Sequence, residues 1–248
     1  MDIKQLTLVL ILLSTFICGC KKKTDPAATP GSAISSIDYL SSSIYQKLEV
    51  QIVYDKGYPP SPETIASIKT FLESKINKPA GITITQKEIQ GPSTSRITLE
   101  NLRNIESLNR SFISNGGTLS MFIYLTNAEY EEPQSDYKTL GVQYGPGGIA
   151  LFGKSLHNSA GGIGQPSYHV LESSVVLHEL GHVVGLVNTG TKMVTAHMDA
   201  AHGHHCNNKE CLMYFAVETS DIVSNILGGT VPPLDVNCNN DLKANGGK

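Results

Sequence analysis

The chain has 248 residues, which bounds it to one domain or two small ones. Hydrophobic residues make up 40% and charged residues 17%, enough apolar material for a packed core and too little charge bias for wholesale disorder. A formal net charge of −3 offers no electrostatic attraction for nucleic acid, so that class of partner is not expected.

At the N-terminus Lys4 precedes an apolar run from Leu6 to Phe16, too short to span a bilayer comfortably. The run ends in Ile17-Cys18-Gly19-Cys20, followed by Lys21, Lys22 and Lys23. This resembles a bacterial lipobox, in which a small residue precedes the cysteine that is lipidated and becomes the mature N-terminus. The resemblance implies a lipoprotein signal peptide over 1–19 and a membrane as partner through the lipid on Cys20. It also implies a place in the bacterial cell envelope, facing the periplasm or the exterior. One acyl chain holds only marginally, and bacterial lipoproteins carry several. An ordinary cleaved signal or a short anchor helix is the alternative. Residues 20–36 turn from Lys-rich to Pro-, Ala- and Ser-rich with no apolar period, the composition of a flexible tether. With Cys18 removed and Cys20 lipidated, Cys206, Cys211 and Cys238 remain, and an exported location favours oxidation of suitably placed pairs.

The folded domain is expected over 37–248. Leu48 to Tyr54 alternates and is rich in strand formers. Ser61 caps a predicted helix from Pro62 to Lys75 with Ile65, Ile68, Phe71 and Leu72 on one face. Ile82 to Ile89 reads as a second strand, Leu99 to Phe112 as helical, and Leu119 to Leu125 as a buried strand. Gly141 to Phe152 reads as two short strands around a Gly-Pro-Gly-Gly turn. This order predicts an α+β domain, a mixed twisted sheet backed by helices.

His178-Glu179-Leu180-Gly181-His182 lies in a helix-compatible stretch from about Val170 to Val184. Two histidines four apart stand on one helical face, so both imidazoles can reach a single ion. Glu179 beside them can act on a water at that ion without being a ligand. Gly185 is placed to end the helix in the left-handed conformation. A stripe on an exposed helix with no metal is the competing reading. Against it, six of the eight histidines fall between 178 and 205: His178, His182, His197, His202, His204 and His205. Packing does not account for such clustering, whereas zinc accepts neutral imidazole in tetrahedral sites.

His178 to Gly185 resembles the opening of the metzincin motif, His-Glu-x-x-His-x-x-Gly. Metzincins place a third ligand three residues after that glycine, where this chain has Asn188, a weak zinc ligand. His205-Cys206-Asn207-Asn208-Lys209-Glu210-Cys211-Leu212-Met213 is similar to the archaemetzincin pattern His-Cys-x4-Cys-x-Met, in which the histidine is the third ligand. The resemblance therefore implies a metzincin-like (zincin) fold with an active-site helix and a zinc held by His178, His182 and His205. It further implies an insertion from Leu186 to His204 and a Met213 turn beneath the metal, an ordinary core methionine being the alternative. His202 and His204 compete with His205 for the third position. Archaemetzincins join their cysteine pair to a later Cys-x-x-Cys around a second zinc. This chain has only Cys238 downstream, so a four-cysteine site is not expected and Cys206–Cys211 is expected as a disulfide.

The activity implied is zinc-dependent hydrolysis of a peptide or protein substrate. Zinc lowers the pKa of water toward about 7 and polarises the carbonyl, with Glu179 as general base. By the same resemblance the extended segment Gly148 to Phe152 is the sheet edge that pairs with substrate. Tyr214 is a candidate oxyanion donor, with a structural tyrosine as the alternative. An archaemetzincin-like aminopeptidase, a non-catalytic zinc-binding surface lipoprotein and a histidine-rich metal scavenger are the rival functions.

Overall fold

The computed structural model describes residues 33–131, 138–219, 226 and 229–248. The lipobox, Cys20 and most of the expected tether lie outside them. The chain enters through a short helix, α1 (Ser36–Leu40), and the strand β1 (Lys47–Asp55). Helix α2 (Pro62–Lys75) and strand β2 (Ile82–Ile89) follow with the bounds predicted from the sequence. Then come β3 (Arg96–Ile97), α3 (Leu99–Asn109), β4 (Thr118–Thr126) and β5 (Glu129–Tyr130). Strands β6 (Gly141–Gly145) and β7 (Gly148–Phe152) flank the Gly-Pro-Gly-Gly turn. Helices α4 (Gly153–Asn158), α5 (Tyr168–Val183) and α6 (Val236–Ala244) complete the set, with a 3-10 turn at Phe215–Glu218.

The sheet runs β2-β1-β4-β7-β6. The β1–β2, β1–β4 and β4–β7 pairs are parallel, and β6 is antiparallel to β7. Side chains of a strand alternate between faces, and β4 shows what each face meets. Leu119, Met121, Ile123 and Leu125 join the core under α2 and α5, while Phe122 and Tyr124 join a second cluster with Leu102 of α3. Both faces are covered, which explains the nearly continuous apolar run of β4. At the far edge, β2 exposes Gln86, Lys87 and Glu88, and the two charges among these polar groups blunt an open strand.

Helix α3 stops at Asn109 rather than near Phe112, and the cause is tertiary. The Gln51 side chain of β1 donates to the Asn109 carbonyl (2.9 Å) and accepts from the Ser111 N–H (2.8 Å), drawing the chain out of the helix. The segment Gly148–Phe152 is not a sheet edge. It lies between β4 and β6, because the turn at Gly147 (φ 72°) folds β6 back along its outer side. The edge strand is β6.

Helix α5 is buried along Val170–Val183, its apolar residues joined to the main core. Polar anchors set its position. Buried Glu172 accepts from the Ser61 N–H (2.9 Å) and Oγ (2.7 Å) at the start of α2, and from the Tyr168 hydroxyl (3.0 Å). Thr64 and Ser173 share a further hydrogen bond of 2.9 Å between the two helices. These contacts satisfy groups that would be costly to bury alone. They also fix the helix that carries the histidines.

Candidate metal centre

His178 and His182 stand one turn apart on α5 with their Nε2 atoms 3.1 Å from each other. Two ligands of a tetrahedral ion bound at about 2.0–2.1 Å lie about 3.3 Å apart, close to this spacing. Just beyond His182 the helix ends in a Schellman motif. The Gly185 N–H donates to the His182 carbonyl (3.0 Å), and the Leu186 N–H donates to the Gly181 carbonyl (3.0 Å). Gly185 (φ 87°) takes the left-handed conformation this closure requires. Val187 (φ 50°) and Asn188 (φ 65°) continue in the same region. Asn188 is exposed and outside the histidine cluster, in a conformation asparagine tolerates better than most residues.

The chain returns at His205. Its ligand atom lies within 4.8 Å of those of His178 and His182, and all three side chains are buried. The returning segment is tied down on both sides of this residue. The Asp199 N–H donates to the His205 carbonyl (2.7 Å) and the Cys206 N–H to the Met213 carbonyl (2.7 Å). Two rings are oriented by carbonyls: His178 Nδ1 donates to Leu212 O (2.7 Å) and His205 Nδ1 to His202 O (2.9 Å). With Nδ1 protonated, Nε2 is the nitrogen that carries the lone pair, the tautomer a metal ligand needs. Burial, with smaller contributions from His205 and His204, pushes His182 down to about 3, so its imidazole is neutral at pH 7.

Of the other histidines, His202 and His204 are exposed. His202 stacks on Phe215 at 3.6 Å between ring centroids and pairs with Asp199 (2.7 Å). His197 is buried and faces Asp241 (2.8 Å). The sequence cluster thus divides into one group of three, one buried histidine elsewhere and two on the surface.

Glu179 is buried beside the centre, and the edge strand passes over it. A Cβ added to Gly141 of β6 would lie 2.5 Å from Val175 and 3.2 Å from Glu179 Cγ, so glycine permits this approach. A cleft of about 600 Å³ runs from Gln143 and Tyr144 at this edge to His182 and Thr189. Beneath α5, Met213 packs against Gly181, whose missing side chain makes room for the thioether. Tyr214 is half-buried with its ring 4.6 Å from Phe215.

The expected Cys206–Cys211 disulfide is not formed. Cys206, Cys211 and Cys238 are buried free thiols gathered beside His197, because the start of α6 brings Cys238 back against the other two. Asp241, one turn further along α6, pairs with His197 Nε2 (2.8 Å) behind the thiols and carries no signal in the sequence.

A mixed sheet, a buried helix presenting two histidines and a returning segment presenting a third define a zincin-like α+β fold. Among solved structures the chain is similar to an archaemetzincin from Methanopyrus kandleri, with a TM-score of 0.53 at 14% identity. The match covers 81% of this chain and 96% of that one. It is also similar to a zinc-dependent peptidase from Methanocorpusculum labreanum, with a TM-score of 0.51 at 16% identity over 78% of this chain and 99% of that one. At these identities the likeness is one of fold. No protein-family profile matches the chain, and no curated protein sequence does.

Proposed function

We propose that the protein is a zinc-dependent peptidase in which His178, His182 and His205 hold the metal and Glu179 is the general base. The observation that carries this reading is the convergence of three buried imidazoles within 4.8 Å beside a buried carboxylate. Three neutral nitrogens suit zinc and leave a fourth position open, the arrangement of catalytic rather than structural sites. The metal supplies polarisation of the scissile carbonyl and acidification of the attacking water. Glu179 takes the proton of that water and delivers it to the departing amine, a role suited to a carboxylate held next to the ligands without being one. The Leu212 and His202 carbonyls hold the His178 and His205 rings in the ligating tautomer. The β6 edge beside Glu179 suits an extended peptide laid along it by strand addition.

A base at this place serves turnover, which favours an enzyme over a zinc-binding module without activity. His202 and His204 stand outside the group of three, with His202 stacked on Phe215 and paired with Asp199, which argues against a multi-histidine scavenger. Membrane attachment through a lipid on Cys20, with the domain outside the cytoplasm, rests on the lipobox resemblance. No described helix is long and apolar enough to cross a membrane. The test is metal analysis of the purified protein together with a broad peptide-library digest. Internal cleavage marks an endopeptidase and removal of N-terminal residues an aminopeptidase. A zinc-loaded protein that cleaves nothing in the library overturns the enzymatic reading.

A further inference from the structure

The cleft that ends at His182 carries a charge that the peptidase mechanism does not use. Arg103 of α3 lines it, together with Gln143, Tyr144 and Pro146 at the edge strand. Among the described residues lining this cleft there is no carboxylate and no lysine. An adjoining cavity of about 490 Å³ shares Arg103, Tyr144 and Pro146 and continues to Arg110 and Ile113. The two hollows thus form one path, from the histidine centre past the β6–β7 turn to α3.

Helical spacing explains which charge is left over. Arg103 and Glu106 stand three apart on α3 and Arg110 caps its end four further on, so the three form one stripe. Glu106 is committed to Arg110: its Oε1 accepts from Arg110 Nε (2.9 Å) and from Nη2. Arg110 also donates to the Ser120 hydroxyl of β4. Arg103 is exposed along the cleft and has no hydrogen bond or ion pair among the described residues. Glu106 and Arg110 cancel, and Arg103 leaves the path locally positive on a chain whose net charge is −3.

We infer that Arg103 is a specificity-determining residue that receives a carboxylate of the peptide laid along β6. The preferred substrates are then acidic at a fixed distance from the cleaved bond. A guanidinium presents a planar fork that matches a carboxylate with two parallel hydrogen bonds. The distance follows from the strand. Gly141 lies against Glu179, and Gly145, at the other end of β6, belongs to the part of the cleft shared with Arg103. At about 3.3–3.4 Å per residue these ends are about 13 Å apart, which places the carboxylate about three to five residues from the cleaved bond.

An Asp or Glu side chain or the free end of the peptide can supply the carboxylate, since the fork meets the same group in both. A lysine at that position would meet a like charge. This inference rests on the peptidase reading for its chemistry, while the recognition is a binding property that can be measured without turnover.

The test uses the zinc-loaded full chain and alanine–glycine peptides carrying one Glu, Gln or Lys at successive positions. Mass spectrometry locates the cleaved bond. At one position about three to five residues from it, Glu should raise kcat/KM about tenfold over Gln, mainly through KM, with Lys below both. The advantage should shrink in high salt. Arg103→Ala should bring Glu and Gln level, and Arg103→Glu should turn the preference to Lys. A gain from Glu in a C-terminally amidated peptide assigns the side chain, and a gain only from the free acid assigns the chain end. Anisotropy of the fluorescein-labelled peptides on Glu179→Ala measures binding apart from cleavage. A wild type that cleaves none of them, while Glu179→Ala still prefers Glu through Arg103, loses the peptidase reading and keeps this one. Equal treatment of Glu and Gln at every position, and of both chain ends, overturns the role of Arg103, as does a preference that survives in Arg103→Ala.

Discussion

The thioether of Met213 rests on the bare Cα of Gly181, on the helix turn between His178 and His182. A methyl group at Gly181 would overlap the sulfur. Gly181→Ala ought to gain about 1 kcal/mol from helix propensity and lose about 1–3 kcal/mol to overpacking, for a net loss of stability. Because Met213 sits one residue from Leu212, whose carbonyl orients His178, zinc retention should fall too. Urea unfolding and zinc content of the variant check this. An unchanged midpoint with full zinc would show that the contact is slack.

Glu179→Ala should keep its zinc and lose about 10²–10⁴-fold in peptide cleavage, the usual worth of general-base help. Zinc content and cleavage rate are measured on the same preparation. Undiminished cleavage would remove Glu179 from the mechanism.

Among single substitutions around the third position, His205→Ala should lose zinc, while Asn188→Ala, His202→Ala and His204→Ala should each cost much less. His205 is buried in the histidine cluster and the other three are exposed. The readout is zinc per chain after dialysis against a mild chelator, measured for all four variants alongside the wild type. Loss of zinc in His202→Ala or His204→Ala with retention in His205→Ala would reverse the assignment.

The metal-free protein should lose stability on acidification, and His182 sets the window. Its folded pKa is depressed to about 3, against about 6.5 when unfolded, so between these values the unfolded state binds more protons. Stability contributed by this group is full above pH 6.5 and declines by about 1.4 kcal/mol per pH unit below it, roughly 2 kcal/mol by pH 5. Urea midpoints of chelated protein at pH 7 and pH 5 measure this. His182→Asn should flatten the difference, and an equally steep fall in that variant would assign it elsewhere.

Lipid attachment is expected at Cys20. A clickable fatty acid should label the wild type and not Cys20→Ala in a bacterial host, and equal labelling of both would remove the anchor.

Much of this protein is legible in its residues because much of it is local. A capping serine, a Pro at the first helical position and a 3.6-residue apolar period set α2 from Ser61 to Lys75. The His178–His182 pair needs only helical periodicity to share a face, and Gly185 ends that helix by its own backbone freedom. What the tertiary structure decided is what depends on segments far apart in sequence. Gln51 cuts α3 short because β1 lies beside its C-terminus. The edge strand is β6 rather than β7 because pairing order in a sheet depends on where the chain folds back, which strand patterning does not record. The cysteines are the clearest case. Counting thiols and their spacing pointed to a disulfide between neighbours and a leftover Cys238. Only packing α6 against the insertion brings Cys238 to the other two and sets His197 and Asp241 behind them, since which thiols meet is a property of positions in space and not of separations along the chain.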